Sequence, residues 1–477
     1  MTQGISLEWN KKCLKNLLKG YWDIILVFIV AMFIFSYNLH GWRVMTVEEW
    51  QFYRDFGKNW LEVYRVHSFY IPSYILIYLL PASEFFTLRY FTAFLVVLGI
   101  LFLHLAVKHV TNTKAALLVS ALAVTDTWFL YYGRQFLWIW SAITLGALAI
   151  YLTVRFKDKS TYLNSVITGI GVLNFSQTVF FAFPFLLSHY SFLREKLDHR
   201  KIAISLVIFF LIVLPSIWLF TQKQDQHLEI QSPEHNALIK EGLEGTQVPL
   251  QYELPVIGYT ETTLVFDPAN MFTQLRNRIG YNRHDLYDLS HIEENSTFYN
   301  ILTLILLIYP LYLYKFSANP YRSFFVIGAL SAFTFHVVFP FLNNLTYLWT
   351  IALFMYPCLA IGFASKSKHL KIISLALIFT LVAAQGLTSH QHIITYDYEQ
   401  NFQNAAEDSL TDLEHLYLEE RAYNMLKHSE LDLLEDQNYE VKSCKELEPI
   451  EGFKLTADAC SLDNEIVAQP RWLILYR

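Results

Sequence analysis

The sequence predicts an α-helical polytopic membrane protein of about eleven spans with a small extracytoplasmic α+β domain at its C-terminus. Three observations predict it. Of 477 residues, 54% are hydrophobic and 16% charged, at a mean hydropathy of +0.30, whereas soluble domains carry about 25% charged residues. Apolar runs long enough to cross a bilayer recur from residue 21 to residue 385. Lysine and arginine gather in alternate short loops between those runs.

The spans follow in order. The first runs over residues 21–40. Behind the basic stretch Lys11 to Lys19, and with no small-residue cleavage site after it, it reads as a retained signal anchor. The next runs are 85–110, 114–131 and 135–155. Residues 162–190 form a longer run, which divides into two short spans near 174–177. The remaining runs are 202–220, 298–316, 322–342, 346–364 and 370–385. Residues 68–81, some 14 residues, have the length of a re-entrant or interfacial element.

Orientation follows from the cations, because short loops rich in Lys and Arg stay cytoplasmic. With Lys11, Lys12, Lys15 and Lys19 inside, the inner loops carry Lys108 and Lys114, then Arg155, Lys157 and Lys159, then Arg194, Lys196, Arg200 and Lys201. Lys315 and Arg322, and then Lys366, Lys368 and Lys371, continue the series. The pattern holds only if 68–81 does not span. A transmembrane domain over 1–385 then exposes external loops at 41–84 and 221–297, and the tail 386–477 is extracytoplasmic. That tail holds 19 acidic residues against 7 Lys and Arg. Residues 404–434 read as helix, with Leu410, Leu413, Leu416, Tyr417 and Leu418 among charges. Residues 439–443 and 471–476 read as strands. Cys444 and Cys460 share the tail, where an oxidising compartment would let them pair; two reduced cysteines in a small core are the other reading. The four cysteines, with Cys13 and Cys358, lack metal-ligand spacing. No metal, cofactor or nucleic-acid partner is expected.

Four stretches carry chemistry. Val47-Glu48-Glu49-Trp50-Gln51-Phe52-Tyr53 is an acidic pair opening an amphipathic run. His67-Ser68-Phe69-Tyr70-Ile71-Pro72-Ser73-Tyr74 follows it. Ser83-Glu84-Phe85-Phe86-Thr87-Leu88-Arg89-Tyr90 sets an arginine at the head of the second span. Tyr131-Tyr132-Gly133-Arg134-Gln135 lies at the outer end of the third. In order, spacing and shared side of the membrane, these resemble the GT-C glycosyltransferases. The likeness is to the branch of protein O-mannosyltransferases and the aminoarabinose lipid A transferase, over about the first 190 residues. Here both acids are Glu where the family usually begins with Asp. A single proline, Pro72, stands for a Pro-Pro pair, and Leu137 and Trp138 occupy the region of a second arginine.

The resemblance implies a sugar donor linked to polyprenyl phosphate, a hydroxyl acceptor on a glycan, lipid or protein, inversion at the sugar, and no obligatory metal. Transfer to a hydroxyl needs a base, and Glu48, then Glu49, are the candidates; as acids opening a helix, both could equally face water. Departing phosphate needs positive charge. Arg89 and Arg134 are placed for that role, or for snorkelling to lipid headgroups. Arg276, Arg278 and Arg283 cluster ahead of the 298–316 run. Arginine's planar fork suits phosphate, and an interfacial helix drawn to anionic lipid is the other reading. His67 would orient a neighbour by hydrogen bonding. Trp42, Trp50, Trp60, Tyr64, Tyr70 and Tyr74 fit a sugar-stacking surface or an interfacial aromatic belt. His104, Asp126 and His336 are read as the ionisable residues inside apolar runs, and Asp126 could line a catalytic cavity or a translocation path. A transporter or flippase of lipid-linked sugars, and an assembly subunit without catalysis, remain the alternatives. Asn295-Ser296-Thr297 and Asn344-Leu345-Thr346 match the N-glycosylation triplet.

Overall fold

A computed structural model describes residues 7–37, 85–134, 139–175, 178–196, 198–230, 296–338 and 349–389. In the tail it describes residues 416–419, 439–450, 453–457, 466–468 and 473–476, and elsewhere single positions including 39, 72, 73, 75, 272, 276, 422, 423 and 462. Each expected apolar run corresponds to one helix or to two. They are α1 (Leu7–Ser36), α2 (Phe85–Val110), α3 (Thr113–Thr125), α4 (Thr127–Gly133), α5 (Ile139–Phe156) and α6 (Thr161–Asn174). Then come α7 (Val179–Phe192), α8 (His199–Ile230), α9 (Ser296–Phe316), α10 (Arg322–Val338), α11 (Trp349–Phe363) and α12 (Lys368–Ser389). The division of 162–190 falls where expected, between α6 and α7. The run 114–131 is not one helix: Asp126 turns extended, at φ −62° and ψ 116°, and separates α3 from α4.

Among the described residues, four helical segments are long and apolar enough to cross a membrane: Thr87–Val110, His199–Trp218, Thr297–Phe316 and Lys368–Gly386. Their outer surfaces settle the solvent. On α8, Ile204, Val207, Phe210, Leu211, Leu214, Ile217 and Trp218 form one exposed stripe, with Leu211 66% exposed. On α9, Phe298, Ile301, Leu304, Ile305, Ile308 and Leu311 do the same. Apolar side chains at helical spacing on the outside are stable only against lipid, since water would penalise so large a contiguous patch. The protein is an integral membrane protein.

Inside, small residues and cross-links hold the helices. A Cβ at Gly99 of α2 would stand 3.0 Å from the Cα of Thr144 in α5, so a side chain there would press on the α5 backbone. There the Thr144 hydroxyl donates to the Leu95 carbonyl at 2.7 Å. Phe181 stacks on Phe185 and Phe354, with centroids 5.4 and 5.5 Å apart, joining α7 to α11.

The helices define two ends. At one, Asn319 donates from Nδ2 to the Val110 carbonyl at 2.9 Å, Tyr321 donates to the Val154 carbonyl at 3.4 Å, and Lys201 pairs with Asp158 at 3.9 Å. This end gathers Lys108, Lys157, Lys159, Lys315, Arg322 and Lys371, the residues that the cation pattern grouped together. The other end gathers the C-terminus of α1, the α3–α4 junction, the start of α5 and the end of α6.

The tail contains a five-stranded sheet: β1 (Leu416–Glu419), β2 (Tyr439–Lys442), β3 (Lys454–Ala457), β4 (Ile466–Ala468) and β5 (Leu473–Tyr476), in the order β2-β1-β3-β5-β4. β1 is parallel to β2 and β3, and β5 is antiparallel to β3 and β4. β2 and β5 fall within the two expected strands. β1 corrects the helical reading of 404–434 at residues 416–419; apart from 422 and 423, the rest of that range lies outside the described residues. Leu416 and Leu418 are buried on one side of the strand, a period of two that outweighs the three- and four-residue spacing upstream. A short helix α13 (Cys444–Leu447) carries a capping box, in which Ser443 and Glu446 bond reciprocally. The Ser443 hydrogen bonds hold the Glu446 carboxyl below its ordinary value. Cys444 is disulfide-bonded; its expected partner, Cys460, lies outside the described residues.

Candidate functional site

Charged side chains from separate apolar helices lie buried toward the end opposite the lysines. Asp126 is the best defined. Its Oδ1 accepts from the backbone N–H of Trp128 at 2.9 Å and of Phe129 at 3.1 Å, capping α4. Its Oδ2 accepts from the Tyr356 hydroxyl at 2.5 Å, across to α11. Gln385 of α12 donates from Nε2 to the Tyr356 oxygen at 3.5 Å. α3 rises about 20 Å before it reaches Asp126, so this chain of three residues sits at membrane depth. A buried ionisable group there is expensive and marks function by default.

Arg134 follows α4 directly and is fully buried. Its Nη1 donates to the carbonyls of Ile34 at 3.2 Å and Tyr37 at 2.6 Å, satisfying the C-terminus of α1. The guanidinium is thus fixed beside the point where the 41–84 segment departs. Arg89, in the first turns of α2 where that segment returns, is 1% exposed. Arg276 is half-buried. Glu48, Glu49, His67, Arg278 and Arg283 lie outside the described residues.

Ser73, in the 41–84 segment, is described and buried. Its backbone N–H donates to Asn174 Oδ1 at 2.7 Å, and Trp140 Nε1 donates to its hydroxyl at 3.2 Å. Asn174 in turn donates from Nδ2 to Ser141 at 2.6 Å. The last residue of α6 and the first turn of α5 therefore seat Ser73. Asn174→Ala removes this seat. Limited proteolysis of the purified protein should then cut within 41–84 several-fold faster, beyond what the lowered melting midpoint accounts for, since the Ser73 N–H and Ser141 lose a buried partner. Equal cutting rates would show that the seat does not hold the segment.

Sequence reasoning missed several buried polar groups. Asp23 of α1 bonds His104 at 3.0 Å and Lys108 at 2.7 Å, and His104 bonds Ser120 at 2.9 Å. This cluster ties α1, α2 and α3 on the lysine side. His189 of α7 lies between Thr153 at 3.0 Å and Thr161 at 3.2 Å. The ionisable residues within the apolar runs are therefore not confined to His104, Asp126 and His336. Asp23 and His189 stand within the runs as drawn, and a charge count inside each run would have found them; Lys108, already grouped with the inner-loop cations, stands within the 85–110 run. Tyr356, Gln385 and Asn174 are uncharged and left no such signal. His336 bonds Thr350 at 3.0 Å and stacks on Phe180 at 4.7 Å, which places it in the α7–α10 packing. Among the described residues, no group of three or more His, Cys, Asp or Glu could hold a metal ion.

No family model matches the chain, and no curated protein matches it. Among solved structures it is similar to ArnT from Cupriavidus metallidurans bound to undecaprenyl phosphate. That likeness has 12% identity and a TM-score of 0.48, over 96% of this chain and 98% of that one. It is also similar to the oligosaccharyltransferase of Archaeoglobus fulgidus in the apo form, at 12% identity and a TM-score of 0.47, over 88% of this chain and 65% of that one. Both are membrane glycosyltransferases of the GT-C superfamily. At such scores the likeness by itself decides neither this chain's fold nor its activity.

Proposed function

We propose that the chain is a GT-C-type glycosyltransferase that moves a sugar from a polyprenyl-phosphate donor to a hydroxyl of a glycan, lipid or protein acceptor. The observation that carries the proposal is the burial of Arg89, Arg134 and Asp126 toward the bundle end that also seats Ser73 of the motif-bearing segment. In the reaction, Glu48 (or Glu49) takes the proton of the acceptor hydroxyl. The hydroxyl oxygen attacks the anomeric carbon from the face opposite the phosphate, so configuration inverts. The bond from that carbon to the phosphate oxygen breaks, and polyprenyl phosphate leaves with the charge it gains. Arginines meet that charge: Arg89 and Arg134 from the bundle, and Arg276, Arg278 or Arg283 from the second loop. His67 orients a neighbouring polar group, and the tail helps to bind the acceptor.

The site faces the extracytoplasmic side in this reading. Two features support that orientation: the lysines at the opposite end, and the disulfide at Cys444 in a tail that follows α12, since disulfides persist in oxidising compartments. A plasma membrane of bacterial or archaeal type fits.

A transporter of lipid-linked sugars is the second reading. The Asp23–His104–Lys108 cluster favours it, because transporters keep ionisable groups inside the membrane. The two separate in proteoliposomes supplied with labelled polyprenyl-phosphate mannose, glucose, galactose or aminoarabinose and a cell-envelope acceptor fraction. Label arriving on the acceptor, with one polyprenyl phosphate released per sugar, is the expected result. Intact labelled donor crossing the bilayer, with nothing transferred, would replace the enzyme by a transporter.

A further inference from the structure

The Asp126–Tyr356–Gln385 chain ends on an atom it does not use. Gln385 is 2% exposed, and its Oε1 is buried without a hydrogen-bond partner. Which end of the amide faces Tyr356 follows from the proton count. The Tyr356 hydroxyl has one proton, and it points at the Asp126 carboxylate. Its oxygen can therefore only accept from Gln385, so the amide must present its NH2 there and turn its carbonyl oxygen away. Asp126 is itself held by two backbone N–H groups. The orientation is thus imposed from the α3–α4 break outward.

A buried carbonyl acceptor left unpaired costs free energy that leucine or methionine at this position would avoid. Gly386, the next residue, would bring a Cβ within 3.6 Å of Thr125, so this turn of α12 lies against the end of α3. The unpaired oxygen therefore sits beside the junction from which α4 leads to Arg134.

We infer that Gln385 Oε1 accepts a hydrogen bond from a hydroxyl or amino group of the sugar on the lipid donor, and that Asp126 and Tyr356 are positioning residues for it. This rests on the glycosyltransferase reading. A neutral amide oxygen, set by a carboxylate two bonds of the chain away, discriminates for an O–H or N–H donor and against an anionic oxygen. It recognises the sugar and not the phosphate.

The test is equilibrium binding to the purified full-length protein in nanodiscs, with polyprenyl phosphate and with the same lipid carrying the sugar. Wild type binds the sugar-bearing lipid more tightly. Gln385→Met, of similar volume and with no carbonyl, weakens that binding about threefold to tenfold, the worth of one neutral hydrogen bond. It leaves polyprenyl phosphate affinity within twofold and the melting midpoint unchanged or raised. Donors lacking one sugar hydroxyl or amino group at a time give the second measurement, on wild type alone. One position loses the sugar-dependent increment, and Gln385→Met erases the difference at that position only. Equal affinity of Gln385→Met and wild type for the sugar-bearing lipid would overturn the inference and assign the amide to a bound water. So would a deoxy series in which no position matters. Wild type binding neither lipid would instead overturn the polyprenyl-phosphate reading, so the two failures are distinguishable.

Discussion

Glu48→Gln is expected to lower the initial rate of sugar transfer by about 10²- to 10⁴-fold, the usual contribution of a general base. The substitution keeps the side chain's shape and one carbonyl oxygen. What it removes is the ability to take a proton. Expression, the melting midpoint and affinity for the donor lipid should therefore stay close to wild type, so that the loss appears in turnover. Glu49→Gln is the internal control, one position away in the same amphipathic run. It should lose far less, because adjacent residues on a helix point about 100° apart and only one can face the acceptor. The assay is transfer of label from the donor that wild type uses. A collapse with Glu49→Gln and none with Glu48→Gln would move the base by one residue. Full rates with both would remove carboxylate catalysis and leave the transporter or assembly reading. The Ser73 seat makes the experiment interpretable. Asn174 and Trp140 bond Ser73 directly, and neither bond involves a carboxylate.

The helices were legible because bilayer thickness imposes a length and an apolar composition that few other constraints mimic. Even the interruption between α6 and α7 was visible, where Asn174, Ser176 and Gln177 break the apolar run. The break at Asp126 was not, since one aspartate among Ala, Val, Thr, Trp and Phe reads equally as a buried charge within a continuous helix. Only the partners decide it, and Tyr356 lies 230 positions away. Arg134 is singled out in the sequence by its neighbours Tyr131, Tyr132 and Gly133. What it does locally could not be read, because its partners are backbone carbonyls 97 and 100 residues earlier and every residue has a carbonyl. Asp23 was legible in principle, as an acid two residues inside an apolar run. The basic stretch before it draws the run's edge into the polar surroundings and masks the signal. In the tail, Leu416, Tyr417 and Leu418 were assigned to a helix on the strength of Leu410 and Leu413. Three adjacent apolar residues fit neither period alone, and the parallel pairing of β1 with β2 and β3 settled their state.

Asp126→Ala is expected to destabilise the bundle by about 2–5 kcal/mol. Loss of the α4 cap accounts for roughly 0.5–2 kcal/mol, and loss of the charge-assisted bond from the Tyr356 hydroxyl to the carboxylate accounts for about 1.5–3 kcal/mol more. The readout is the melting midpoint in nanodiscs, with Tyr356→Phe and the double variant alongside. Because the two side chains share one hydrogen bond, the effects should not add. Asp126→Ala should cost less in the Tyr356→Phe background, with a coupling of about 0.5–3 kcal/mol. Additive effects, or an Asp126→Ala variant as stable as wild type, would show that the carboxylate is not the junction's fastening. Asp126→Asn separates structure from recognition. Its amide oxygen can keep the α4 cap while its NH2 turns to the Tyr356 oxygen. The phenol proton then needs a new acceptor, and the Gln385 carbonyl supplies one if that amide rotates. The bundle should therefore melt near the wild-type temperature. But Gln385 Oε1 is now consumed inside the protein, so affinity for the sugar-bearing lipid should fall as it does in Gln385→Met, while affinity for bare polyprenyl phosphate holds. A stable Asp126→Asn with undiminished preference for the sugar would detach the aspartate from donor recognition and leave it as the cap of α4 alone.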